Sequence, residues 1–128
     1  MSLMKDSIDL EKERAAMDLS SCLLSEGYRM ENKWIVEMLD EGLKSSFYDE
    51  LPTTMLPSLY RYVVEGKRPG GFLTAVIEND LMAAVSRADA SNLKALPVWA
   101  KFFYNCTPSE CFGSVEKMRE WCKAREEV

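Results

Sequence analysis

Apolar residues recur at helical spacing along nearly the whole chain. The clearest stretch is Leu56, Leu59, Tyr60 and Val63, at i, i+3, i+4 and i+7, which predicts a helix over about 55–65. Thr53 or Thr54 is placed to cap it, Pro57 falls in its first turn where a missing N–H costs little, and Gly66 ends it. Trp34, Ile35, Met38 and Leu39 predict a second face over about 33–43, with Asn32 as its N-cap. Gly42 and Ser45-Ser46 weaken the end of that helix. Phe47, Tyr48 and Leu51 give the connector to Pro52 side chains to bury.

Another long predicted helix starts at Gly70 or Gly71 and runs to about Ala88. Leu73, Val76, Ile77, Leu81, Ala84 and Ala88 share one broad face of it, with Asp80 near the middle and Arg87 on the same side. Asp89 or Ser91 then caps a helix over about 90–104, lined by Leu93, Leu96, Trp99, Ala100 and Phe103 and bent or restarted at Pro97. Asn105 suits a left-handed stop. Thr107-Pro108-Ser109-Glu110 has the form of a capping box for a short helical turn. Ser114 caps the last helix, over about 115–126, with Val115, Met118, Trp121 and Cys122 as its buried stripe. At the other end, Ser7 caps a helix over about 7–26, with Ile8, Ala15, Ala16, Leu19, Cys22 and Leu23 on one side and Gly27 as its stop.

No stretch alternates with period two, and no Asn-Gly or Asp-Gly hairpin signal occurs. The fold class expected is therefore all-α, a compact bundle of five to six helices. Residues 1–50 form an N-terminal arm of two helices and 51–128 the main domain, together one unit. The first helix has a stripe long enough to serve as an arm for homodimerisation.

Composition supports this picture. The chain has 128 residues, 47% hydrophobic and 29% charged, which suits one soluble domain with a core of its own. The formal net charge of -5 opposes broad binding to phosphate backbones, so nucleic acid is a disfavoured partner. Apolar runs are too short for a bilayer span, and the N-terminal residues lack a signal-peptide core. Met1-Ser2-Leu3 before a second methionine has the form of an expression scar. The expected location is the cytoplasm of a bacterial host, with reduced thiols at Cys22, Cys106, Cys111 and Cys122.

Histidine is absent, which removes Ser-His-Asp and Cys-His catalysis and histidine-ligated metals. A zinc site would need all four cysteines, so no metal and no cofactor is expected. Trp34, Trp99 and Trp121, with Phe102, Phe103, Tyr104 and Phe112, read as core.

Two features carry candidate chemistry. Lys67-Arg68-Pro69-Gly70-Gly71 sets two cations beside glycine-freed backbone N–H groups at a helix start, which is the physics of an anion site. It is not a P-loop, lacking the strand and the Gly-Lys-Ser/Thr ending. Lys67, Arg68, Gly70 and Gly71 are its candidate binding residues, and Arg61 could extend the cations into a local basic patch for nucleic acid. Asp80 is the second feature. A carboxylate on an apolar face is costly unless paired, so Asp80 with Arg87 reads as a buried polar staple, the alternative being an acid/base residue of an enzyme.

Pro69-Gly70-Gly71-Phe72-Leu73-Thr74-Ala75-Val76, Glu78-Asn79-Asp80-Leu81, Arg87-Ala88-Asp89, Asn92, Phe103-Tyr104-Asn105, Pro108, Cys111, Gly113-Ser114 and Trp121 stand in a distinctive order. In that order, over about residues 52–121, the chain resembles a family of small uncharacterised phage and prophage proteins. Phe112 stands where that pattern has tryptophan, and Lys67-Arg68 fall outside it. The resemblance implies origin in a phage or integrated element and implies no mechanism. With no complete catalytic set, the function expected is that of a small non-enzymatic accessory protein acting on an unidentified protein partner.

Overall fold

The computed structural model describes residues 30–126. These form six α-helices: α1 Met30–Leu43, α2 Leu56–Glu65, α3 Gly71–Ile77, α4 Leu81–Arg87, α5 Ala90–Cys106 and α6 Val115–Glu126. Three 3-10 turns, Ser46–Tyr48, Thr53–Met55 and Ser109–Cys111, join them. Among the described residues there is no strand, and the class is all-α as expected. The helix expected over 7–26, with its dimerisation role, lies outside the described residues.

Helix α2 is the interior element. Leu56, Leu59, Tyr60, Tyr62, Val63 and Val64 are all buried, so it is enclosed on several sides rather than along one stripe. Pro57 sits in its first turn as expected, and the preceding 3-10 turn takes the place of a threonine cap. Helices α1 and α6 pack on α2, and α5 packs on α1 and α3. Tyr48 and Leu51, in the connector after α1, join the same core as Trp99 and Phe102 of α5. The described part of the chain before residue 52, from α1 through Leu51, therefore shares one core with the rest.

The three largest fully buried polar side chains, Tyr60, Tyr62 and Trp99, each have a partner, as burial demands. The Tyr60 hydroxyl donates to Asp40 of α1. The Tyr62 hydroxyl donates to the Cys111 carbonyl at 2.6 Å, and burial pushes its pKa up, so it stays a donor. Trp99, fully buried, donates from Nε1 to Asn92 Oδ1 at 3.1 Å, one helix face within α5.

Several local expectations are corrected. Asn32 does not cap α1. It lies inside the helix and accepts from Arg125 of α6 through Oδ1. Asn105 does not stop α5. It keeps the helical run and donates from Nδ2 to Tyr48 Oη at 3.2 Å, and α5 continues through Pro97 to Cys106. Thr107 is not the first residue of a capping box, because its hydroxyl turns back to the Phe103 carbonyl at 2.6 Å. Trp34 and Leu93 were expected in the core, yet they are 50% and 48% exposed. Asp89 and Ser114 do cap their helices, by accepting from Asn92 N at 2.8 Å and Lys117 N at 3.1 Å.

The largest correction concerns the helix expected over 70–88, which is two helices. Asn79 takes a left-handed conformation, φ 64°, after Ile77. Asn79 N donates to Val76 O and Asp80 N to Ala75 O, at 3.1 and 2.8 Å, closing α3 with the paired bonds of a Schellman motif. Asp80 then starts α4 as N-cap, accepting from Ala83 N at 3.1 Å. Gly113 N donates to the Ile77 carbonyl at 2.8 Å and anchors the break to the loop before α6.

Close packing where α1 meets α5 gives a test. A Cβ added at Gly42 would sit 2.7 Å from Cys106 Sγ and 2.9 Å from its Cβ. Gly42→Ala should destabilise the fold by about 1–3 kcal/mol, read by urea unfolding. An unchanged midpoint would show that α1 does not approach α5 this closely.

Candidate functional site

Two concavities stand out among the described residues. The larger, about 630 Å³, lies where the C-terminal end of α2 meets α6 and the start of α1. Gly66 ends α2 in the left-handed region, φ 72°, with its N–H on Tyr62 O at 2.8 Å. Added bulk there would meet Arg125 Cβ at 2.9 Å, so α6 lies directly over this turn. Arg125 donates from Nε to Val64 O at 2.6 Å and from its second nitrogen to Asn32, and its guanidinium lies over the Trp121 ring at 4.6 Å. Trp121 Nε1 donates to Tyr62 O at 3.2 Å. The negative end of the α2 dipole is thus met by a cation and an indole donor from α6.

Lys67 and Arg68 line this cavity, as the expected anion site required, but Gly70 and Gly71 do not. Gly71 is the first residue of α3, and its carbonyl accepts from Arg87 at 3.3 Å. The proline-glycine turn carries the chain away from the lysine and arginine, so the four candidate binding residues are split. Lys67 lies 3.8 Å from Glu65, and Glu65 and Glu126 join the lining. Three cations, Lys67, Arg68 and Arg125, face two carboxylates. That is a mixed surface, and Arg61, though exposed, is outside it.

The second concavity is smaller, about 250 Å³, and runs between the α3–α4 segment and α5. Val76, Leu81 and Ala84 form one wall, and Leu96, Pro97 and Ala100 the other. Leu81 lines it and is exposed, and α4 and α5 carry further exposed apolar side chains. Leu81 is 65% exposed and Met82 80%, with Val85, Leu93 and Tyr104 also exposed. Expected on the core face, Leu81 instead forms the rim of this groove. The overlooked signal is local: asparagine before an aspartate three residues ahead of Ala83 is a stop followed by a start.

Asp80 sits at the groove's end and is exposed. It is not a buried staple. Ending α3 at Asn79 turns Asp80 off the apolar face and gives its carboxylate the free N–H of Ala83. Arg87 is exposed as well and donates to Gly71 rather than serving Asp80. The observation that suggested an acid/base residue is therefore absent.

The described thiols show no activation. Cys111 is buried, and desolvation pushes its thiol up to about 11. Burial also raises Cys106 and Cys122, with Cys122 the more open of the two. Among the described residues no three histidine, cysteine, aspartate or glutamate side chains gather as metal ligands, and no helix is long and apolar enough to cross a membrane. Cys22 lies outside those residues. No protein-family model, curated protein or solved structure matches this chain.

Two outcomes follow. Asp80→Ala should cost about 1 kcal/mol of stability while Asp80→Asn, which keeps a cap acceptor, stays within a few tenths in thermal or urea unfolding. Equal losses would return Asp80 to a charge-dependent role. In native thiol labelling at pH 8, Cys122 should react well before Cys111, as followed by mass spectrometry; the reverse order would contradict the burial of Cys111.

Proposed function

We propose that this chain is a non-enzymatic accessory protein that works by binding another protein, through the apolar face formed by α4 and α5. One observation carries the reading: Leu81 stands exposed in the wall of a largely apolar groove, and the two helices α4 and α5 that flank it also expose Met82, Val85, Leu93 and Tyr104. Scattered surface leucines are ordinary, but contiguous exposed apolar side chains around a groove mark contact surfaces. Interfaces place aromatic and Met side chains at their centre, and Met82 and Tyr104, the most exposed of this set, are of those kinds. The phage or prophage origin implied by the resemblance belongs to the same proposal.

The competing readings have less support. Asp80 is an exposed helix cap, which is no basis for an enzyme. The basic patch of Arg61, Lys67 and Arg68 is interleaved with Glu65, which weakens attraction to a phosphate backbone.

The test is a comparison of partners. Met82→Glu with Ala100→Glu changes two exposed positions and should leave the helical circular dichroism intact. Proteins captured from host cytosol by the unaltered chain should fall at least about tenfold in recovery with this variant, as expected for charges placed in an interface centre. Capture of the same partners at the same yield would overturn the proposal. Sedimentation of both forms shows whether the partner is a second copy.

A further inference from the structure

The charge beside the α4–α5 face specifies more than a surface. Leu93, Pro97, Ala100 and Tyr104 are spaced four, three and four residues apart. At about 100° per residue they fall within an arc of roughly 60° on α5. All four are exposed. This is the spacing of a helix seam that accepts another helix, and it extends over roughly 16 Å of helix axis. On one side of the stripe, Leu96 leads into the groove against α4. On the other side, the next side chains around the helix are Lys101 and Lys94, seven residues apart and both exposed. In heptad terms they occupy flanking positions, where charge selects the partner.

Within Ala90–Cys106 these lysines are the only charged residues, in a chain whose net charge is -5. Lys101 leans toward Phe47, with its nitrogen 5.3 Å from the ring centroid. Two carboxylates stand at the ends of this surface. Asp80 lines the groove beside the start of α4, and Asp89 caps α5. Arg87, at the end of α4, reaches to Gly71. The edge of the stripe away from the groove is therefore cationic, and α4 exposes Met82 and Val85.

We infer that the partner element seated on this face is an amphipathic α-helix with apolar residues at i, i+3 or i+4, and i+7, and with aspartate or glutamate along one edge. The inference rests on the protein-binding reading above and adds the partner's chemistry. Its apolar stripe lies between α4 and the α5 seam. Its acidic edge lies over Lys94 and Lys101, where exposed opposite charges set register and discriminate among partners more than they add affinity.

The probe is a displayed library of random 18-residue peptides selected on the full chain, with counter-selection on the full-length Met82→Glu/Ala100→Glu variant. The expected survivors carry the helical apolar period and an acidic edge. Their binding should weaken at least about tenfold on Lys94→Glu/Lys101→Glu, and that difference should shrink at high salt. Survivors with a basic edge, with no helical period, or with unchanged binding to the lysine variant would overturn the inference while leaving the face as a binding surface. If no peptide prefers the unaltered chain over the counter-selection variant, the protein-binding reading falls with it.

Discussion

Two tyrosines that face away from each other on α2 determine where the neighbouring elements can sit. Tyr60 and Tyr62 are both fully buried, and a buried hydroxyl without a partner costs about 1–3 kcal/mol. Tyr60 meets this demand at Asp40, which fixes α1 on one side. Tyr62 meets it at the Cys111 carbonyl, which fixes the 3-10 turn before α6 on the other. The Tyr62 carbonyl also receives Trp121, and the Val64 carbonyl receives Arg125. Through these bonds α6 closes over the end of α2 and reaches Asn32 of α1. Hydrophobic burial supplies most of the favourable energy, but these directional bonds select one arrangement of the helices among many apolar packings.

The surface assigned to binding depends on that framework indirectly. The loop that carries Cys111 continues to Gly113, whose N–H holds the Ile77 carbonyl at the end of α3. The chain leaves α3 through the left-handed Asn79 and restarts at Asp80, and α4 packs chiefly on α3. A continuous helix would have carried Leu81 on the same face as Leu73 and Ile77. The break leaves only Ala84 of α4 fully buried and turns Leu81 outward, while Met82 lies off the apolar face in either case. The exposure of Leu81 is thus a consequence of how one helix is terminated.

Much of this was legible from spacing alone. The α2 stripe, the caps Asp89 and Ser114, the early proline at Pro57 and the all-α class follow from local chemistry that each residue carries wherever the chain folds. The break at Asn79 was hidden because Leu73, Val76 and Ile77 before it and Ala84 and Ala88 after it stay in phase with one helical period. Asn32 and Asn105 misled for a related reason. Both have side chains suited to helix ends, and here they serve tertiary bonds to Arg125 and Tyr48 instead. The candidate site was legible in part. Lys67 and Arg68 do reach a cavity, whereas Gly70 and Gly71 leave it, because the direction of a turn depends on what packs beneath it. Exposure of Leu93 and Trp34 is set by neighbours distant in sequence, which periodicity does not encode.

The central claim is that the α4–α5 face is open in the free chain and covered when the protein is engaged. Oxidative footprinting of methionine, read by mass spectrometry, measures both states at one residue. Met82, 80% exposed, should oxidise far faster than the fully buried Met118 in the free protein. It should become protected when a bound partner is present, with Met118 unchanged. Slow oxidation of Met82 in the free chain, or an undiminished rate in the complex, would contradict the account.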